Sequence, residues 1–411
     1  MEKSAKKQTR SKQVTEVTTY PVSYSTETIK DNISIDIENI LSKEQIIYQA
    51  FNCHSKGNTA EAAKYYQYLI DNGSNDHRVY ANLSLILEGI GKLKEAELLL
   101  HKAIAIKPDK AEFHSNLADI LNALGKLEEP ELALREAIKL NPDSAIIHSN
   151  LGSILKTLGK LEEAELFTRK AIELNPNHGI LHSNLGSILI DVGKLEEAEL
   201  SLRMAINLQP DYADAYYNLS LIQLLQGNYH SGLENYEFRF KKKKPTIPHA
   251  QTTIKKLNTE KLQKGEKLLV ISEQGIGDTL QYMRYIPYLK KLGFNVSFCP
   301  QQKLNTIIKA SAIDQNPITP AQARKVSEGK WIPLLSLPRF LEVSPTNPIV
   351  SKPYIYSNNE LTKKWKKILS EEKKPIIGIN WQGNPNAEKN YQKGRSLPLE
   401  AFSFLTEKNN F

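Results

Sequence analysis

Gly159 to Pro176 reads GKLEEAELFTRKAIELNP. Leu161, Ala164, Leu166, Ala171, Ile172 and Leu174 form an apolar stripe at helical spacing, bounded by a glycine before and a proline after. Outward from this stretch the punctuation repeats. Glycines stand at Gly57, Gly91, Gly125, Gly159, Gly193 and Gly227, and prolines at Pro108, Pro142, Pro176 and Pro210, always 34 residues apart. Each period predicts two helices. The glycine ends the first because it takes a left-handed backbone at little cost, and the proline, lacking an N–H, closes the second. With the closing proline as position 32, position 8 is small (Ser84, Ala118, Gly152, Gly186, Ser220) and position 20 is alanine (Ala62, Ala96, Ala164, Ala198). Small side chains there let the paired helices approach closely. Pro130 replaces alanine in one period, in the first turn of its helix, where a missing N–H costs little. Ser74 stands where the first period should have its proline.

This pattern resembles the tetratricopeptide repeat and covers residues 43–246 as six repeats. Asparagine recurs at position 6, as Asn82, Asn116, Asn150, Asn184 and Asn218, pointing away from the partner helix. In this repeat class first helices line a concave groove, so the resemblance implies amides able to hydrogen-bond an extended protein or peptide backbone. An architectural role for the same amides stays open. His114, His148 and His182 share position 4. Successive helices lie roughly 10 Å apart, too far for one metal ion with bonds of about 2 Å, so packing is expected and no metal site.

The 411 residues carry a net charge of +8, which raises the question of nucleic acid. Residues 1–12 hold five basic residues against Glu2, and residues 239–267 hold ten against Glu260 and Glu266, together +12, so the remainder is −4. Basicity concentrated in a tail and a connecting segment predicts no nucleic-acid surface. Residues 1–35, rich in Lys, Ser and Thr, are expected to be a disordered basic tail. Cys53 and Cys299 are the only cysteines, which excludes a disulfide framework. No window has the roughly 18 apolar residues of a membrane span, and the start lacks a secretory apolar stretch, so a cytoplasmic location is expected.

Residues 247–264 read as a linker, with Pro245 and Pro248 beside the lysine run 241–244. Beyond it the periodicity changes. Lys267–Ser272 and Asn295–Pro300 read as strands around a helix at 279–292, which predicts a parallel sheet with crossover helices. Pro287 should kink or break that helix. After the first strand comes the turn Ser272-Glu273-Gln274-Gly275-Ile276-Gly277-Asp278, whose backbone N–H groups could face an anion such as a phosphate. A dinucleotide fingerprint would need glycine or alanine at Leu280, and a P-loop would need Gly-Lys-Ser/Thr, so neither fits.

EQGIGDTLQYMRYIPYL at 273–289 resembles the opening of a GT-B glycosyltransferase domain of the heptosyltransferase-like type found attached to tetratricopeptide repeats. GNYHSGLENYEFRF at 227–240 is similar to the closing repeat of that family, WIPLLSLPRF at 331–340 to a late strand of its first Rossmann-like domain, and PIIGINWQGNP at 375–385 with GRSLPL at 394–399 to the start of its second. The resemblance implies a first Rossmann-like domain over 265–374 and a truncated start of a second over 375–411. It implies a nucleotide-sugar donor as substrate, with no other cofactor. It also implies Asp278 as catalytic base toward an acceptor hydroxyl, while the residues alone equally allow Asp278 as the N-cap of the following helix. Gln274, Gly275, Gly277, Arg395 and Ser396 are the substrate- or phosphate-binding candidates, and Trp381, Gly383 and Asn384 accompany them.

The expected fold is therefore α + α/β: a helical solenoid of tetratricopeptide repeats, then a Rossmann-like GT-B half and the beginning of another. The expected function is a protein-interaction scaffold fused to a glycosyltransferase-like domain. The alternative is a non-catalytic binding scaffold with a degenerate transferase half. A second domain that stops at Phe411 leaves most of a donor site out, which is why catalysis stays open at this point.

Overall fold

The structure, a computed structural model, describes residues 42–258, 260–349 and 352–371. Two compact units divide at Asp143 and Ser144. The division falls inside the repeat array, between the third and fourth repeats, and away from the segment read as a linker.

The described part of the first unit is six helices in three hairpins: α1 (Lys43–Ser55) with α2 (Thr59–Asp71), α3 (His77–Gly89) with α4 (Leu93–Ile106), and α5 (Ala111–Ala123) with α6 (Glu129–Leu140). Ser42 and Gln45 form a reciprocal capping box at the start of α1, which satisfies two backbone donors. Gly91 and Gly125 close α3 and α5 at φ of +80° and +76°, and a side chain there would meet no atom within 4 Å. Backbone conformation, and not space, demands glycine at these positions. Ala62 and Ala96 are fully buried between paired helices, as their spacing predicts. Pro130 sits in the first turn of α6 without interrupting it.

The second unit continues the hairpins with α7 (Ala145–Thr157) and α8 (Leu161–Leu174), α9 (Gly179–Val192) and α10 (Leu195–Leu208), and α11 (Ala213–Leu225) and the eight-residue α12 (Tyr229–Tyr236). Here the small residues at position 8 are needed for room. A Cβ on Gly186 would lie 2.6 Å from Leu202 Cγ, and one on Gly152 would collide with the Thr168 hydroxyl.

A 3-10 turn at Glu237–Phe240 leads into a parallel four-stranded sheet of order β1-β4-β2-β3: β1 (Lys255–Lys256), β2 (Lys267–Ile271), β3 (Asn295–Cys299) and β4 (Lys330–Pro333). Leu268 and Val270 of β2 face a core of Met283, Ile286, Leu289, Phe298 and Ile332, whereas Leu269 and Ile271 face Ala250, Cys299 and Ala323. A strand buried on both faces is the near-continuous apolar run expected of a parallel sheet. Between β2 and β3 lie α13 (Ile276–Tyr282) and α14 (Tyr285–Lys291), where one helix is predicted. The break precedes Pro287, which then occupies the first turn of α14 and leaves no backbone hydrogen bond unmade. Short helices α15 (Asn305–Ala310), α16 (Pro320–Ala323) and α17 (Leu337–Phe340) follow, then α18 (Asn359–Leu369).

Residues 247–258 do more than connect. His249 N–H bonds Ser272 O at 2.9 Å, Ala250 and Leu257 are buried, and β1 pairs with β4. The apolar spacing of Ala250, Ile254 and Leu257 serves this packing, although the neighbouring lysines and prolines dominate the composition.

Candidate functional site

The five asparagines stand on the first helices α3, α5, α7, α9 and α11, each partly buried. Two of the amides have partners inside their own unit. Asn184 Nδ2 donates to Ser149 Oγ at 3.0 Å, bridging α9 to α7, and Asn82 bonds the buried Tyr66 phenol. The Ser149 acceptor is buried, and on the same two helices Lys156 is bonded to Ser187 and lies 3.3 Å from Asp191. The histidines do structural work: His114 Nε2 lies 3.0 Å from Pro108 O, His182 Nε2 2.7 Å from Pro176 O, and His148 Nδ1 3.0 Å from Ser144 O. Among the described residues no group of three His, Cys, Asp or Glu side chains could hold a metal ion.

The glycine turn starts where β2 leaves the sheet. Gln274 takes a left-handed φ of +60°, a conformation unusual for a residue with a Cβ, and its amide donates to Tyr236 Oη at 2.9 Å. Gln301 steadies the turn by donating to Gln274 O and Gly275 O, both at 3.3 Å, while accepting from Thr279 Oγ1 at 2.7 Å. Helix α13 begins at Ile276, three residues earlier than predicted, with Gly275 at the N-cap. Asp278 is consequently the third helical residue and not the cap; its Oδ2 accepts from Gly275 N–H at 2.9 Å. The carboxylate closes the turn from inside, as the return half of a capping box does. This bond occupies one of the N–H groups that an anion would use. Gly277 has open space around its Cα, so the turn does not need glycine there on steric grounds.

Asp278 also reaches the end of the repeat array electrostatically. Burial pushes the Tyr217 phenol of α11 upward, the Arg239 charge opposes that push, and the Asp278 charge adds a smaller upward contribution. Burial and, after it, the Asp278 charge raise the Tyr282 phenol. Tyr217 lies 5.7 Å, centroid to centroid, from Tyr236, whose hydroxyl holds Gln274, and Lys242 Nζ sits 4.0 Å above the Tyr217 ring. Gln274, Asp278, Tyr217, Tyr236 and Tyr282 thus form one neighbourhood where the last repeat meets the turn.

Beside it is a buried charge cluster, whose Arg239 the charge count grouped with the basic connecting segment 239–267. Arg239 is fully buried and bonds Glu273 Oε1 and Glu237 Oε1, both at 2.7 Å, and Ser336 Oγ at 2.8 Å. Its guanidinium lies 4.1 Å over Phe240 and 4.5 Å over Tyr236. Leu335 N–H and Arg239 share Glu273 Oε1, leaving Oε2 without a protein partner. Burial pushes the Glu237 carboxyl up, but Arg239, the Ser336 hydroxyl and Lys256 outweigh it and hold it below its ordinary range. For Glu273 burial prevails and raises the carboxyl despite Arg239. Arg239 therefore belongs to the core. The aromatic neighbours in YEFRF were the one available signal, since a flexible basic segment has no reason to interleave three rings. Arg395, Ser396, Trp381, Gly383 and Asn384 lie outside the described residues, as does the 1–35 tail.

Hairpins of this length, closed by left-handed glycines and packed through alanine and glycine, define a helical repeat protein. Residues 55–111 and 145–178 each match a family model described as Tetratricopeptide repeat, and residues 118–159 and 186–227 one described as TPR repeat. The chain carries tetratricopeptide repeats, the scaffold of a protein-interaction module, followed by a small parallel sheet; the family-model matches end at residue 227. No curated protein matches the chain. Among solved structures, MamA from Desulfovibrio magneticus RS-1 (41 to its end) is 17% identical, with 42% of this chain and 98% of that one covered at a TM-score of 0.39. The pilF protein of Pseudomonas aeruginosa is 17% identical over 48% of this chain and 89% of its own, at 0.42. YrrB, described as a TPR protein with an unusual peptide-binding site, is 22% identical over 43% and 91%, at 0.36. No helix among the described residues is long and apolar enough to cross a membrane.

Proposed function

We propose that the chain is a scaffold whose first-helix face binds an extended segment of a partner protein and that the glycine turn beside the last repeat acts on that partner as the acceptor half of a nucleotide-sugar-dependent glycosyltransferase. The observation that carries this reading is that Tyr217, on the first helix of the last repeat, packs 5.7 Å from Tyr236, whose hydroxyl accepts from Gln274 in the turn that Asp278 closes through Gly275 N–H. A hydroxyl presented along that face would arrive near a carboxylate able to take its proton, the step that sugar transfer requires while a nucleotide leaving group departs. Asn150, Asn184 and Asn218 would hold the backbone of such a segment on the second unit, and Asn82 and Asn116 offer the same amide chemistry on the first unit taken by itself. Gln274 and Gly277, with Arg395 and Ser396, would serve donor phosphates, and Gly275 would join them only on release of its N–H by Asp278. The cell compartment we propose is the cytoplasm.

A second reading, a scaffold without turnover, draws on two bonds already made: Asp278 to Gly275 N–H and Asn184 to Ser149. Asp278→Asn separates the two. It keeps an oxygen to accept from Gly275 and removes the base, so in the enzyme reading sugar transfer to a bound peptide falls at least about 100-fold while binding persists. Unchanged transfer would exclude Asp278 as base, and no transfer by either form leaves the scaffold reading. Asn116→Ala, Asn150→Ala and Asn184→Ala together should weaken peptide-array binding without unfolding the stack; intact binding would reduce the amides to architecture.

A further inference from the structure

Six of the large hydrophobic side chains left exposed among the described residues fall within a single stretch: Ile355, Tyr356, Leu361, Trp365, Ile368 and Leu369. The last four belong to α18, NELTKKWKKIL, which buries none of its residues. At 100° per residue these four fall within an arc of about 100°, and Lys363, Lys364, Lys366 and Lys367 occupy the rest of the circumference. The helix carries +3, since only Glu360 opposes the four lysines. The strap that leads into it is anchored. Tyr354 Oη donates to Leu280 O at 2.7 Å under the Arg284 guanidinium, and Tyr356 N–H donates to Ser311 Oγ at 2.9 Å, so the strap before α18 is pinned to the sheet core.

We propose that α18 is a membrane-surface helix that lies in the headgroup layer of an anionic bilayer, with Trp365, Leu361, Ile368 and Leu369 in the acyl boundary and the lysines on headgroup phosphates. An apolar stripe bearing tryptophan, flanked by lysines on a helix about 16 Å long, suits lying on a membrane and not crossing it. Charge selects the occupant. A second copy of α18 would bring +3 against +3. Residues 372–411 of this chain carry six basic and four acidic residues and so offer no complementary charge either. Anionic lipid satisfies both faces of the helix at once.

The test is co-sedimentation of the full 411-residue chain with phosphatidylcholine vesicles, with and without phosphatidylglycerol. The proposal predicts binding only where phosphatidylglycerol is present, weakened by salt, with a blue shift of the Trp365 emission obtained as the difference between the wild type and Trp365→Phe. Lys363→Gln with Lys366→Gln should reduce partitioning about 25-fold, about fivefold for each charge lost, whereas Lys363→Arg with Lys366→Arg should retain it. All these side chains are exposed, so thermal unfolding followed by circular dichroism should be the same for every variant. No binding to either vesicle, or equal binding to both, would overturn the proposal. So would a Trp365 already shielded from acrylamide in vesicle-free protein, with sedimentation velocity then telling a second copy from cover by residues 372–411.

Discussion

The repeats and the sheet unit are held together by different physics. In the repeats, stability is local and duplicated: the contacts between Gly186 and Leu202, or Ala164 and Gly152, span less than one period and recur in the next. In the sheet unit the binding contacts are long in sequence, with Arg239 and Glu273 34 residues apart and Glu237 and Ser336 99 apart, and each is made once. A change in a repeat removes one of several equivalent contacts. A change in the charge cluster removes a contact that no repeated equivalent replaces and leaves a buried charge behind.

The largest expected effect follows directly. Arg239→Met leaves Glu273 buried opposite an apolar side chain and should cost about 3–5 kcal/mol, whereas Arg239→Met with Glu273→Gln should recover much of that loss. The chain supplies its own reporters. Its tryptophans, Trp331, Trp365 and Trp381, all lie beyond Asp143, and Cys53 lies before it. Urea unfolding followed by tryptophan emission should shift for Arg239→Met while the labelling of Cys53 does not. A joint shift would show the two units to be one cooperative system.

Next comes Gly186→Val. Its Cβ would lie 2.6 Å from Leu202 Cγ, and overpacking of that kind costs about 1–3 kcal/mol. Circular dichroism melts should show the loss, and Gly186→Val with Leu202→Ala should restore part of it. Asn184→Ala removes one hydrogen bond to Ser149 and should cost about 1 kcal/mol. A loss of that size, with peptide binding retained, would assign the amide to the stack.

The smallest effect is on pH dependence. The folded Glu237 carboxyl is held below its ordinary value, so its contribution to stability is present above that value and is lost as pH falls through the depressed one. Glu273 is raised and works in the opposite sense, its burial cost being relieved as it gains a proton. Glu237→Gln should therefore flatten the acid-side decline in the stability of the tryptophan-reported transition. An unchanged profile would place the acid-labile groups elsewhere.

The repeats were legible because their determinants are periodic: a left-handed glycine, a terminating proline and a small residue each return every 34 positions. Strands β2 and β3 were legible as apolar runs, and the turn after β2 as glycines at a strand end. The start of α13 was misread because Asp278 caps from the third helical position, backwards onto Gly275, where an aspartate before Thr279 invites the forward reading. The charge cluster was illegible for a deeper reason. Arg239, Glu237, Glu273 and Ser336 are gathered by the tertiary fold, and in sequence Arg239 stands beside a run of four lysines that sets the local composition. Burial of a charge depends on its partners, and those partners are distant in the chain.

The proposal that the sheet works with the repeats on a sugar-nucleotide reaction meets its most direct test in calorimetric titration of a panel of nucleoside diphosphate sugars into the purified chain. Binding to the native state raises stability by an amount set by the ligand concentration relative to its Kd. The account predicts that at least one donor binds and shifts the tryptophan-reported unfolding of the second unit upward while Cys53 labelling is unchanged. Absence of heat and of any stabilisation across the whole panel would contradict it and leave a binding scaffold alone.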